Sequence, residues 1–247
     1  MEKRYRSAVV GLGRIGMLME SDPKRLKPAT HVGMHRAHPR VDLVGLVDAD
    51  PEKRRIAETT YPQIPVYAAV EDLFMCEKMD ILSISTANEA HVPVVLAAAE
   101  ARVPAIICEK PIAETIEGGR QMVRACGEAG SLLFVNHFRR FSPLLVKWRR
   151  AVAEEGVLGR IQQASGYYAM GLYEMGTHLV DFLRWYLGEI AWVWGVKNRG
   201  AFTLFEGDAC VDGVLCFVEG ARASIQSVDR RHFSMWEVRL LGEKGSL

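Results

Sequence analysis

The chain has 247 residues, 49% of them hydrophobic and 25% charged, with a formal net charge of +1. That is length enough for one large or two modest domains around a sizeable core, and the near-neutral balance gives no electrostatic pull toward nucleic acid or anionic lipid. No apolar run reaches the roughly 20 residues that span a bilayer. The opening MEKRYRSAVVGLG meets glycines before a secretory apolar segment can form. Cys76, Cys108, Cys126, Cys210 and Cys216 are scattered without a C-x-x-C pair, the pattern of reduced thiols in a cytoplasmic protein.

In chain order, SAVVGLG is a short apolar strand running into glycines. VDLVGLVD, residues 41–48, is a second strand, and IPVY a brief third. DILSIST, residues 80–86, is a fourth, VPAIIC a fifth and SLLFVN a sixth. HVPVVLAAAEAR and TIEGGRQMVRACGEAG lie between them with helical character. Strands alternating with helices, each strand near-continuously apolar, predict an α/β Rossmann domain: a parallel, doubly wound sheet covered on both faces. After Ser142 the texture changes. SPLLVKWRRAVAEEG reads as one amphipathic helix. RIQQASGYYAM, IAWVWGVKNRG, GVLCFVEG, ARASIQSVD and WEVRLLG read as longer, alternating strands, with the helix THLVDFLRWYLG among them. The expected division is 1–141 for the Rossmann domain and 142–247 for an α+β domain built on a mixed or antiparallel sheet.

GLGRIG follows the first strand directly: Gly11, Leu12, Gly13, Arg14, Ile15, Gly16. Gly11 permits a tight turn, Gly13 lets backbone approach a pyrophosphate, and Gly16 allows close helix–strand packing. A helix N-terminus beyond would offer free N–H groups to phosphate. Asp48 ends the second strand, where a carboxylate accepts hydrogen bonds from a ribose 2′-hydroxyl and repels a 2′-phosphate. NAD is therefore favoured over NADP, with Arg54 and Arg55 as the residues to suspect should NADP bind well. The separation from Gly16 to Asp48, 32 residues, exceeds the usual roughly 20. The insert MESDPKRLKPATHVGMH accounts for the excess.

IICEKPIAET places Glu109, Lys110 and Pro111 at the end of a buried strand, more polarity than a strand edge needs. The bland alternative is a surface ion pair capping the next helix. In YEMGTHLVD, Glu174 and His178 stand four apart and share one face of a helix start, and an imidazole there can act as general base and acid. The alternative is a helix-capping histidine. His31, His35 and His38 suggest a metal only superficially, since no further ligand set accompanies them. His31 has a second reading, at the mouth of a cofactor site. Arg139 and Arg140 fit an anionic substrate or salt bridging between domains, and Asp181 reads as structural.

GLGRIG, ISTANEAHVPVVLAAAEARVPAIICEKPIA, VNHFRRFSP and GTHLVDFLRWYLGE together resemble the glucose-fructose oxidoreductase, inositol dehydrogenase and rhizopine-catabolism family, Gfo/Idh/MocA, over essentially the whole chain. The resemblance implies an NAD(P)-binding Rossmann domain followed by a mixed-sheet domain that forms the substrate wall and often an oligomer interface. It implies reversible hydride transfer at a carbinol of a sugar, cyclitol or sugar derivative. Lys110 then sits between nicotinamide and substrate, Glu109 orients Lys110 or the cofactor ribose, and Pro111 is often preceded by a cis bond. His178 is the acid–base group, and Glu174, where an aspartate is usual, binds a substrate hydroxyl or steers the imidazole. Thr86, Asn88 and His91 line the nicotinamide side, with helix capping as their alternative. Expected partners are a polyol or sugar substrate and further copies of the chain, with neither nucleic acid nor membrane. Family chains run on past LLGEKGSL into further strands, so a C-terminally truncated sheet is expected. A non-catalytic dinucleotide-binding sensor of the same fold is the competing class.

Overall fold

The computed structural model describes residues 3–203 and 207–247, and the chain divides into two compact units, Met1–Asn136 and His137–Leu247. The first unit runs β1 (Tyr5–Val10), α1 (His31–Ala37), β2 (Val41–Val47), α2 (Pro51–Thr60), β3 (Val66–Tyr67), α3 (Val70–Cys76), β4 (Ile81–Ile84), α4 (His91–Glu100), β5 (Ala105–Cys108), α5 (Ile116–Ala129) and β6 (Leu132–Val135). Its six strands lie in the order β3-β2-β1-β4-β5-β6, every neighbouring pair parallel. The order reverses between β1 and β4, the switch point outside which ligands bind in open α/β sheets. Alternation along β1 explains the continuous apolar runs. Ala8 and Val10 pack with Leu73, Val95 and Met122, while Val9 packs with Val32, Ala57 and Tyr61. Both faces are buried, so both sets of alternate residues must be apolar.

The helix after β1 is interrupted. Met17 N–H donates to Gly13 O at 3.0 Å, closing one helical turn, and the chain then leaves in an excursion. It returns at α1, where His31 N–H donates to Ile15 O (3.1 Å) and Val32 N–H to Gly16 O (3.0 Å). Those are the bonds that residues 19 and 20 would make in an unbroken helix. Twelve residues are therefore looped out, and subtracting them from the 32 between Gly16 and Asp48 leaves the usual spacing of about 20. The excess therefore lies in residues 19–30, while the last five residues of the stretch MESDPKRLKPATHVGMH, 31–35, resume the helix as part of α1. Within the excursion, Glu20 accepts from Thr30 Oγ1 (2.7 Å) and Ala29 N–H (3.0 Å), and Thr30 Oγ1 in turn caps α1 by accepting from Gly33 N–H (3.0 Å).

The second unit contains α6 (Pro143–Ala153), β7 (Ile161–Ala169), α7 (Thr177–Leu187), β8 (Ile190–Lys197), β9 (Val211–Phe217), β10 (Arg222–Val228), β11 (Trp236–Gly242) and β12 (Gly245–Ser246). The sheet order is β12-β11-β7-β10-β9-β8, antiparallel except for the parallel β7–β10 pair. Side chains of β7, β9, β10 and β11 form one core with Leu179, Phe182 and Leu183 of α7 and Val152 of α6. The edge strand β8 stays exposed along nearly its full length, including Trp192, Val193, Trp194 and Val196. Among the described residues no helix is long and apolar enough to cross a membrane.

Candidate active site

The candidate residues of the first unit gather at the carboxyl ends of its strands. Gly11, with φ of +90°, turns the chain out of β1, and a Cβ there would lie 2.5 Å from Ser85 C and Thr86 N. Ser85 Oγ donates to Gly11 O (2.8 Å) and locks that approach. A Cβ on Gly16 would sit 1.9 Å from Gly11 O, so the first helical turn can lie against the strand end only with glycine here. Gly13 faces open space, with nothing within 4 Å of an added Cβ. Arg14 and Ile15 are exposed beside it.

Asp48 is buried at the end of β2. Its Oδ2 accepts from Leu12 N–H (2.7 Å) and its Oδ1 from Asp50 N–H (2.9 Å), so the carboxylate is pinned to the glycine turn. Arg54 and Arg55 do not face it. Arg54 Nη1 donates to the carbonyls of Asp48 (2.9 Å) and Ala49 (2.7 Å), and Arg55 forks onto Glu52. The cation at the carboxylate is Lys53, its Nζ 3.7 Å from Asp48 Oδ2, a residue the sequence reading passed over.

Beyond β5, Glu109 is only 9% exposed. It accepts from His31 Nε2 (2.8 Å), Asn136 Nδ2 (2.6 Å) and, more weakly, Lys110 N–H (3.3 Å). Burial opposes its ionisation, but the His31 hydrogen bond and charge, with Asn136 and the Lys110 amide, outweigh it and hold the carboxyl below its usual range. His31 thus meets the Glu-Lys-Pro turn, at a sequence separation no local pattern reveals. Lys110 is half-buried, and the Lys110–Pro111 peptide is cis. His91 Nδ1 donates to Pro111 O (2.9 Å), tying the loop after β4 to this turn. Thr86, Asn88 and His91 do not cap α4, whose N-cap residue is Ala90 without a side-chain bond. Thr86 Oγ1 and His91 Nε2 are instead buried without a hydrogen-bond partner. His35 Nε2 pairs with Ser83 Oγ (2.7 Å), and His38 Nδ1 accepts from Arg40 N–H (3.2 Å), so the three histidines serve three different contacts.

In the second unit, Glu174 and His178 straddle the start of α7. Residues Leu172–Gly176 form a helical turn widened by one residue, a form that recurs at functional sites. Glu174 is half-buried in that turn and His178 buried in the first turn of α7. Asp208, distant in sequence, caps the widened turn by accepting from Tyr173 N–H (2.8 Å) and Glu174 N–H (3.0 Å). The His178 ring stands edge-on to His137 (centroids 5.8 Å apart) and Phe138 (5.3 Å). Arg140 forks onto Asp181 (2.9–3.1 Å), which gives Asp181 the structural role expected of it and commits that guanidinium within this unit. Arg139 stacks on Phe138 and Trp236, 4.8 and 4.6 Å from the ring centroids.

These residues suit a dinucleotide. The open Gly13 backbone admits a pyrophosphate, the pinned Asp48 retains lone pairs for ribose hydroxyls, and two orphaned polar atoms, Thr86 Oγ1 and His91 Nε2, await partners at the same sheet edge. Sheet order, glycine turn and acidic strand end define a Rossmann dinucleotide-binding unit joined to a mixed-sheet unit.

Residues 5–137 match the oxidoreductase family with an NAD-binding Rossmann fold, and residues 159–247 match the GFO/IDH/MocA C-terminal domain. The chain belongs to the GFO/IDH/MocA oxidoreductase family. D-apiose dehydrogenase of Paraburkholderia graminis is 26% identical over 267 aligned residues, covering 99% of this chain and 67% of that protein. D-apiose dehydrogenase of Rhizobium rhizogenes is 29% identical over 167 residues, covering 60% and 48%. The chain thus spans about two thirds of one curated relative and about half of the other. The WlbA dehydrogenase of Bordetella pertussis, solved with NADH and UDP-GlcNAcA, shares the fold, with a TM-score of 0.84 at 24% identity over 99% of this chain and 77% of that one.

Proposed function

We propose that this chain catalyses reversible hydride transfer at a carbinol of a sugar, cyclitol or sugar derivative, with NAD preferred to NADP. The first unit holds the dinucleotide and the second the substrate, the division of labour expected of 1–141 and 142–247. The observation that carries the reading is the Glu109 clamp. A carboxylate held ionised by His31, Asn136 and the Lys110 amide is a costly arrangement if stability alone is the purpose. It fits the need to set Lys110 rigidly at a sheet edge that also bears a glycine turn.

NAD, when bound, supplies the hydride acceptor. Gly11, Gly13, Arg14, Ile15 and Gly16 cradle its phosphates, and Asp48 takes the adenosine ribose. Thr86, Asn88, His91 and Glu109 serve the nicotinamide end. His178 removes the hydroxyl proton in oxidation and returns it in reduction. Lys110 stabilises the developing alkoxide. Glu174 hydrogen-bonds a neighbouring substrate hydroxyl or steers the imidazole. The exposed apolar edge strand β8 supports self-association into a homo-oligomer, and five free cysteines support a cytoplasmic location.

The test is NADH binding by fluorescence titration, followed by turnover on a panel of sugars and cyclitols. Lys110→Ala is expected to abolish most turnover while leaving NADH affinity within about threefold, as for a group acting in the transition state. His178→Asn is expected to remove one ionisation from the pH–rate profile and to lower turnover roughly 100-fold to 10,000-fold. Near-normal turnover in both variants would refute these roles. NADH binding without turnover on any panel member would favour the sensor class.

A further inference from the structure

The cluster at the start of α2 bears on cofactor choice. Three cations follow Asp48 in succession, Lys53, Arg54 and Arg55, and the structure gives each a different task. Arg54 is spent on two loop carbonyls and Arg55 on Glu52. Lys53 alone points its charge at the ribose-binding carboxylate, 3.7 Å from Asp48 Oδ2 and 3.8 Å from Asp50 Oδ2. The two ends of that pair differ in freedom. Asp48 is 9% exposed in its side chain and pinned by two backbone N–H groups, so it cannot retreat from an incoming group. The Lys53 side chain is 35% exposed and ends a flexible four-carbon stem with three donors.

A 2′-phosphate arriving at this edge brings nearly two negative charges. Facing a fixed carboxylate alone, it would be excluded. With Lys53 in reach, the ammonium can turn from Asp48 to the phosphate and form a charge-assisted hydrogen bond. A 2′-hydroxyl makes no such demand, since Asp48 accepts from it directly. The presence of Lys53 therefore matters to one dinucleotide and hardly to the other.

We propose that Lys53 is the residue that sets how strictly this site rejects a 2′-phosphate. It makes the preference for NAD graded rather than absolute. The inference rests on the dinucleotide-binding reading of the first unit, and the experiment separates the two. Dissociation constants for NADH and NADPH are measured by fluorescence titration for the whole chain, as wild type, Lys53→Met and Lys53→Arg. Lys53→Met is expected to weaken NADPH by about tenfold or more, the worth of one hydrogen bond to a charged group, while NADH changes by less than about threefold. Lys53→Arg keeps the charge and is expected to keep NADPH binding near wild type. The salt dependence of NADPH binding should be steeper in wild type than in Lys53→Met. If the methionine variant leaves the NADPH-to-NADH ratio within about twofold of wild type, Lys53 is a surface ion pair and the proposal is wrong. An equal loss for both dinucleotides also overturns it, since Lys53 would then only steady Asp48. If wild type binds neither dinucleotide, the underlying reading falls first.

Discussion

Replacing His35 should remove most of the pH dependence of the first unit's stability on its mildly acid side. The ring is 3% exposed on α1 and hydrogen-bonds Ser83 Oγ at 2.7 Å. Burial, and then the charges of His31 and His38, push its imidazole down from 6.5 to about 4. The unfolded chain therefore takes up a proton that the folded chain refuses. Stability from this site is full above the unfolded value and drains away as pH falls toward the folded one. Integrating between those two values, a drop from pH 7 to pH 5 costs about 2 kcal/mol, with a slope approaching 1.4 kcal/mol per pH unit. All five tryptophans, Trp148, Trp185, Trp192, Trp194 and Trp236, lie in the second unit, so their fluorescence does not report this event. Amide hydrogen exchange of peptides from β1 and β4 does, read as opening free energy at both pH values. His35→Gln keeps a partner for Ser83 but cannot titrate, and its β1 and β4 peptides should lose less than about 0.5 kcal/mol over that range. A loss in the glutamine variant equal to that of wild type would place the titration elsewhere and refute the argument.

Two further outcomes follow from close contacts. Gly16→Ala would place a methyl 1.9 Å from Gly11 O, so the glycine turn must move, and NADH affinity should fall by about tenfold or more while circular dichroism stays near wild type. Unchanged affinity would mean that the turn does not hold the dinucleotide. Asp208→Asn leaves the amides of Tyr173 and Glu174 with a single acceptor, at a cost of about 1–3 kcal/mol, and should speed hydrogen exchange across residues 172–176; undiminished protection there would show that another group caps the turn.

Much of the first unit was legible because parallel strands buried on both faces announce themselves as apolar runs. The Gly11–Gly16 turn, Asp48 and the Glu109–Lys110–Pro111 turn all fall at ends of those runs, so their placement followed from the strand assignment. The second unit was legible as a sheet with two helices, but not in its pairing, since the parallel β7–β10 contact joins strands separated by α7, β8 and β9. What stayed hidden were long-range polar contacts. His31 reaches Glu109 across 78 positions, and Asp208 reaches the turn before α7 across 34 and 35. Nothing in local composition distinguishes an aspartate that caps a remote turn from one in solvent. Lys53 was overlooked for a related reason. In a run of three cations, helical geometry and not residue type decides which one faces the carboxylate.

The broken helix after β1 has a bearing on how this scaffold can be altered. Its two halves meet through ordinary helical hydrogen bonds, so the excursion enters and leaves at nearly the same place. A detour with adjacent ends adds little closure entropy when lengthened, because that cost grows only logarithmically. Its length is therefore decoupled from the register of the helix, the strand pairing and the glycine turn. Segments could be shortened, exchanged or grafted within its exposed stretch, residues 23–28, a reporter peptide or a small folded module among them, while Glu20 and Thr30 keep the cap of α1. The excursion is a socket that the chain has already filled once, a single helical turn from the glycine turn at Gly11–Gly16.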